Sequence, residues 1–135
     1  LRRALRSGID RIFMGETRSP SEAAVALDAA TTNHLVLANF HADGIEGGIG
    51  KLADLAGRLR SDAWSLLAEC LVAIFFQQMT VQEKDGQFRS VPAISPFIIP
   101  GGVDGRRIRG CIREGKLAEL ATDIDRQRAM IRARN

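Results

Sequence analysis

The stretch that decides the fold is residues 12–44, IFMGETRSPSEAAVALDAATTNHLVLANFHADG, in which two short apolar runs flank a helical segment. The first run, residues 12–14, ends at Gly15-Glu16 and predicts a buried strand that leads into a loop. The second run is predicted as a strand over residues 34–40 and is continuously apolar over 35–38. Continuous apolarity is typical of strands covered on both faces in parallel α/β sheets. We therefore predict an α/β fold.

The segment between the two runs carries a helix start signal. Ser19 is a good N-cap, Pro20 suits the first helical position, and Glu22, three residues after the cap, completes a capping box. The pattern predicts a helix over residues 20–31. Its many alanines indicate close packing against a sheet.

The remaining elements are predicted from periodicity and turn residues. Asp85-Gly86 is a strong hairpin signal, and the prolines Pro92 and Pro96 place the strand that contains them at a sheet edge. The predicted elements are a basic lead-in over 1–8, helices over 45–59 and 62–74, strands over 75–82 and 88–99, and helices over 104–116 and 117–134.

Composition limits the classes of protein that are plausible. The chain has 135 residues, a net charge of +3, 16 arginines, 3 lysines and no tyrosine. It is the size of one domain, and no apolar run is long enough to predict a transmembrane helix. Cys70 and Cys111 fit no metal-binding spacing. The scarcity of aromatic residues argues against a stacking surface for single-stranded nucleic acid. The chain begins with Leu1 and is expected to be a fragment of a longer protein.

Two kinds of residue at predicted strand ends are candidates for chemistry. Glu16 follows an apolar strand, which is how nucleotide hydrolases place a carboxylate near the attacking water. His34 and His41 flank the second strand, and His41 lies at its carboxyl end, where ligands usually bind. Each of these residues, taken alone, also fits a solvated side chain on the surface.

A third feature is the segment 107–114, RIRGCIRE. Its spacing predicts that Ile108 and Ile112 face the core and that Arg109 and Arg113 face away. A charged face is usually solvated, and the alternative is a docking surface for an acidic partner or a neighbouring subunit. The chain contains no G-x-x-x-x-G-K-[ST] phosphate loop.

In this order, these features resemble the type II/type IV secretion ATPase superfamily over residues 5–124. The similarity is to its PilT-like branch, the motors of pilus retraction, type IVB secretion and conjugal transfer. Residues 10–18 resemble the Walker B strand, residues 33–42 the His box, and residues 73–79 the Ala-x-x-x-Gln-x-Leu strand. Residues 107–114 resemble the A-I-R-N-L-I-R-E motif of retraction motors. The departures from the family pattern are Asn33 in place of Gly, Ser95 and Pro96 at an often acidic site, and Arg107, Gly110 and Cys111.

The resemblance implies the C-terminal half of a RecA-like P-loop ATPase domain, a largely parallel sheet with a β-hairpin and C-terminal helices. Residues 1–99 would be the second half of the ATPase core, with the Walker B strand, the His box and the hairpin. Residues 100–135 would form a C-terminal helical segment. The family's phosphate loop and N-terminal domain lie upstream of this chain, so the chain alone is expected to be inactive.

The resemblance also implies functional residues and partners. Glu16 would be the general base or would orient water, and His41 would sense the γ-phosphate of ATP. His34 would support the His box from the other end of its strand, and Arg18 would pair with an acidic group near the nucleotide site. Gln77 would be structural or part of the wall of the nucleotide pocket. Mg²⁺ would be held through water, with Glu16 as the candidate contact. The intact protein would form a hexamer in the cytoplasm, at secretion or pilus machinery on the inner membrane. The alternatives are a non-catalytic assembly module and, less favoured, a nucleic-acid-binding domain.

Overall fold

The computed structural model describes residues 9–133 of the chain, which form both helices and strands. The basic lead-in predicted at 1–8 lies outside this part. The elements are β1 (Arg11–Met14), α1 (Pro20–Ala30), β2 (Leu35–Ala38), α2 (Ile45–Gly57), α3 (Ala63–Cys70), β3 (Ala73–Lys84), β4 (Gln87–Ile98), α4 (Gly102–Arg113), a 3-10 turn (Leu117–Leu120) and α5 (Ala121–Arg132).

The strand–helix–strand unit at the start of the chain confirms the α/β class. Strands β1 and β2 pair in parallel, with Met14 opposite Ala38. Helix α1 begins with the predicted capping box: Glu22 N donates to Ser19 Oγ at 3.3 Å, and Ser19 N donates to Glu22 Oε2 at 2.9 Å. Within residues 9–133, parallel pairing is limited to β1 and β2, and the antiparallel β3–β4 hairpin has the longer strands.

The turn from α1 into β2 explains one departure from the family pattern. Asn33, which stands where the family usually has Gly, has a φ of 65°. This is the left-handed region, which Gly adopts freely and which Asn tolerates better than most residues with a Cβ. Asn33 therefore adopts a backbone conformation that Gly would adopt without strain.

Only one face of the β1–β2 pair is covered. Ile12 and Met14 are buried against alanines of α1. Phe13, Leu35 and Leu37 point to the other face and are between 52% and 74% exposed. The prediction that this sheet is covered on both faces is therefore wrong for residues 9–133, because α1 packs on one side and no described element packs on the other.

The main core lies among the helices and the base of the hairpin. It includes Leu27 from α1, Ile45 and Ile49 from α2, Leu67 from α3 and Phe97 from β4. The C-terminal helices join the same core through Ile108, Ile112, Leu120 and Ile124. The side chain of Gln127 in α5 also holds the end of β4, since it accepts from Ile98 N at 2.9 Å and donates to Ile98 O at 2.8 Å. Core packing thus continues across the boundary predicted at residues 99/100, and the division there stays a prediction.

The hairpin turn is the one predicted at Asp85-Gly86. Both residues have positive φ, 55° and 72°, as a type I′ turn requires. Among the described strands β4 pairs only with β3, so Pro92 and Pro96 do lie at a sheet edge. The strand pairing places six exposed, large apolar side chains on one face of the hairpin. We call this the hairpin face: Phe75, Met79, Val81, Phe88, Ile94 and Ile98.

Several helix boundaries differ from the sequence prediction. The helix predicted over 62–74 ends at Cys70, because Ile74 and its neighbours pair with β4 instead. The apolar spacing that suggests a longer helix thus belongs partly to a strand. The helix predicted over 104–116 begins at Gly102 and ends at Arg113. Gly115, which follows, has a φ of 69°, and this left-handed conformation ends the helix. The final helix, predicted from residue 117, begins with a 3-10 turn, and α5 ends at Arg132.

Candidate functional site

Glu16 and His41 meet where β1 and β2 end. Two backbone hydrogen bonds extend the pairing beyond the strands: Asn39 N donates to Met14 O at 3.2 Å, and Thr17 N donates to Asn39 O at 2.7 Å. This brings Glu16 Oε1 to 3.4 Å from His41 Nε2. The two residues that the sequence singles out separately therefore form one site at the carboxyl edge of the parallel pair.

Arg18 completes a small charged cluster. Its Nη2 donates to Glu16 Oε2 at 2.5 Å. The hydrogen bond from Arg18 is the main cause of a lowered pKa at Glu16, and His41 contributes in the same direction. The same bond raises the pKa of Arg18. Glu16 is thus held as a carboxylate, with one oxygen facing Arg18 and the other facing His41.

The cluster can bind a water molecule or another ligand through hydrogen bonds. The carboxylate of Glu16 is an acceptor only, whereas imidazole can donate through one or both ring nitrogens. The His41 side chain is 89% exposed and that of Glu16 is 29% exposed. Residues 9–133 contain no group of three or more His, Cys, Asp or Glu side chains placed to hold a metal.

The structure does not bring His34 to this cluster. Its Nδ1 lies 3.2 Å from Ala29 O and 3.3 Å from Thr32 Oγ1, near the end of α1 and at the opposite end of β2 from His41. Gln77 lies on the other sheet, exposed on the hairpin face and opposite Ile94. Of the five predicted site residues, Arg18 and His41 each contact Glu16, and the roles of all five stay predictions.

A family model described as Type II/IV secretion system protein matches residues 1–129. The chain belongs to this family. A similar curated relative is the uncharacterized protein YggR of Escherichia coli K12, which is 33% identical over 121 residues, covering 89% of this chain and 35% of YggR. The twitching motility protein of Neisseria gonorrhoeae is 32% identical over 119 residues, covering 87% of this chain and 30% of that protein.

Solved structures of this family agree with the fold. The pilus retraction motor PilT, solved with bound ADP, superposes with a TM-score of 0.75 and 31% identity, over 93% of this chain and 35% of PilT. The ATPase DotB of Legionella pneumophila has a TM-score of 0.70 at 23% identity, over 88% of this chain and 32% of DotB, which shows the shared fold. The chain spans about a third of the length of these two curated relatives. Across residues 9–133, none of the helices has the length and apolar character needed to cross a bilayer.

The arginines of α4 differ from expectation in one respect. Ile108 and Ile112 are buried as predicted. Arg109, predicted to face away, instead donates through Nη1 to Ala68 O at 2.5 Å, Glu69 O at 2.8 Å and Leu71 O at 3.2 Å. An arginine is well suited to this role, because the last carbonyls of a helix lack intrahelical partners. Arg109 thus joins α4 to the end of α3, and the prediction that its side chain faces away is wrong.

Arg113 keeps an exposed position. Its Nη2 lies 3.8 Å from Glu69 Oε1, and both side chains are about half exposed. An ion pair of this kind contributes little to stability.

Sequence reasoning missed Lys51, which lies beside the site. Its Nζ donates to the backbone carbonyl of His41 at 2.5 Å. Nothing local predicts this contact, because ten residues separate the two and the glycines of α2 obscure the helical pattern there. The surrounding groove, of about 610 Å³, lies between α2 and Leu117 and is lined by Lys51, Asp54 and Arg58 among others.

Proposed function

We propose that the complete protein is a motor ATPase that couples ATP hydrolysis to protein secretion, conjugation or pilus dynamics. The observation that carries this proposal is the 3.4 Å approach of Glu16 Oε1 to His41 Nε2 at the carboxyl edge of two parallel strands. Ligands of open α/β sheets bind at that edge. Family membership and the similarity to PilT support the same reaction.

In this proposal Glu16 orients the attacking water. Because Arg18 lowers its pKa, Glu16 is a weak base that stays ionised at neutral pH. A fixed carboxylate accepts a hydrogen bond from water and aligns the oxygen for in-line attack, which is a main protein contribution to phosphoryl transfer.

His41 would donate a hydrogen bond to the terminal phosphate of ATP. Its exposed ring leaves room for that contact. Arg18 would keep its contact with Glu16 and, because its side chain is 76% exposed, would also lie open to the nucleotide. His34 would act only through the conformation of the turn before β2, and Gln77 would be structural or line the nucleotide pocket.

Magnesium fits this site through water. Mg²⁺ is usually held by one or two carboxylates, substrate phosphates and several waters, and Glu16 supplies one ionised carboxylate. When bound, the ion would neutralise charge on the phosphates. Because this chain has no phosphate loop, residues 1–135 alone are expected to bind Mg-ATP poorly and not to hydrolyse it. A hexameric ring and attachment to machinery at the inner membrane are part of the proposal for the complete protein.

Glu16→Gln in the complete protein tests the proposal. The change keeps the size of the side chain and removes its charge, so nucleotide binding should persist while kcat falls by about 10²–10⁴-fold. Glu83→Gln, on the hairpin, is the matched control and should leave kcat unchanged. Turnover by Glu16→Gln close to that of the unmodified protein would contradict the assignment.

A further inference from the structure

The position of the His41 ring depends on the loop that carries it. Residues 39–44 join β2 to α2, and solvent surrounds most of the imidazole, which is 89% exposed. Side-chain packing therefore cannot fix the ring near Glu16. The backbone of the loop must do so, because a shift of about 1 Å in a reacting group is enough to cost a large part of its rate.

Two contacts hold the start of this loop. The backbone of Asn39 bonds to Met14 and Thr17 as an extension of the strand pairing. The ring of Phe40 lies so close to α2 that a Cβ on Gly48 would be 3.5 Å from it. Both contacts are made by residues that precede His41 in the chain, and neither involves the backbone of His41.

Lys51 acts on His41 itself. Its Nζ donates to His41 O at 2.5 Å, and within residues 9–133 this is the hydrogen bond that the His41 backbone makes. A bond from an ammonium group is charge-assisted and stronger than a neutral one.

The helix that carries Lys51 is held firmly in place. Helix α2 is anchored in the core by Ile45, Ile49 and Ala53, all fully buried. Side chains on a helix point toward its N-terminus, so Lys51, in the middle of α2, reaches back to the loop that precedes the helix. Lys51 thus links a helix that is fixed in the core to a single backbone carbonyl of the loop.

We propose that Lys51 is a positioning residue that holds His41 at Glu16. The inference rests on the proposed function, since it assigns to Lys51 an effect on hydrolysis that passes through His41. The competing role for an exposed lysine beside such a site is direct contact with a nucleotide phosphate. The two roles differ in which kinetic constant they control.

Steady-state kinetics of the complete protein distinguish the positioning role from the phosphate-binding role. Lys51→Met, which keeps the length and loses the donor, should lower kcat by about 10- to 100-fold with little change in KM. Lys51→Arg should restore most of the rate, and Lys84→Met, a matched exposed lysine on β3, should have no effect. A raised KM with unchanged kcat would overturn the proposal in favour of phosphate binding.

A double-mutant cycle tests whether the effect passes through His41. In the His41→Ala background, Lys51→Met should cause no further loss of kcat. Independent, multiplicative losses would overturn the positioning role. Unchanged turnover of His41→Ala by itself would instead contradict the proposed role of His41, which is a separate failure.

Hydrogen exchange provides a measurement that does not depend on activity. In the complete protein, Lys51→Met should increase deuterium uptake in the peptide that covers residues 39–44 and leave residues 20–30 unchanged, because the loop loses its connection to α2. Unchanged uptake over 39–44 would overturn the proposal whatever the kinetics show.

Discussion

Met14 and Ala38 are paired neighbours at the ends of β1 and β2, and their pairing determines that Glu16 and His41 meet. Glu16 lies two residues beyond Met14, and His41 lies three beyond Ala38. A slip of one residue in this register would turn every side chain of one strand to the opposite face. The buried Ile12 and Met14 oppose such a slip, so core packing on one face also fixes the site.

The two histidines should differ in their effect on hydrolysis. His41→Ala in the complete protein is expected to slow ATP turnover strongly, because His41 is in contact with Glu16. His34→Ala is expected to slow it less, because His34 contacts only the end of α1 and the turn after it. The kcat values of both variants measure this. A larger loss for His34→Ala would reverse the two assignments.

Replacing two glycines of α4 by alanine, one at a time, should change the free energy of unfolding in opposite directions. A Cβ at Gly105 would lie 1.8 Å from the backbone oxygen of Pro100, so Gly105→Ala forces the backbone apart. We expect a loss of about 1–3 kcal/mol in the free energy of unfolding, the usual cost of overpacking. Gly110 has no neighbour within 4 Å of such a Cβ, and Gly110→Ala should stabilise by up to about 1 kcal/mol through helix propensity.

Urea denaturation of the two variants and the unmodified chain checks this pair. Both substitutions add the same methyl group to the same helix, so helix propensity is matched and only the neighbouring atoms differ. Equal stability of Gly105→Ala and Gly110→Ala would contradict the close approach of Pro100.

The capping box of α1 should make stability depend on acid pH. Hydrogen bonds from the backbone of Arg18 and Ser19 lower the pKa of Glu22. A carboxyl whose pKa falls on folding stabilises the folded state above its ordinary value of about 4.3, and this contribution is lost as pH falls through the lowered pKa.

Glu22→Gln tests the capping contribution. The variant should be less stable than the unmodified chain at pH 7, and the difference should shrink at about pH 3 as Glu22 becomes protonated. Urea denaturation at pH 7, 5 and 3 provides the comparison, with Glu83→Gln as the control. A difference in stability that does not change with pH would contradict the role given to the Glu22 carboxylate.

The 135-residue chain by itself should associate with copies of itself. The hairpin face and the uncovered face of β1–β2 expose contiguous apolar side chains, and such patches promote association. Replacing Phe75 and Ile94 together by Thr keeps β-propensity and should reduce the associated fraction in sedimentation velocity. The matched control replaces Gln78 and Gln82, on the opposite face, by Thr. An unmodified chain that is monomeric at about 50 μM, well above the concentration at which micromolar dimers form, would contradict this prediction.

Local sequence signals were sufficient for much of the fold. The capping box at Ser19 and the turn at Asp85-Gly86 are predicted correctly because each depends on a few adjacent residues with strong backbone preferences. The apolar runs identify β1 and β2, although α1 covers only alternate residues of each strand. Glu16 and His41 stand out because both follow such runs.

Only the tertiary structure decided the contacts between distant parts of the chain. The end of α3 at Cys70 depends on Ile74 pairing with β4, which no local period reveals. The inward turn of Arg109 depends on three unpaired carbonyls at the end of α3, and the bond from Lys51 to His41 depends on the angle at which α2 leaves the sheet. Periodicity and short motifs report on a residue's immediate neighbours, whereas these contacts are set by how whole helices and strands pack against one another.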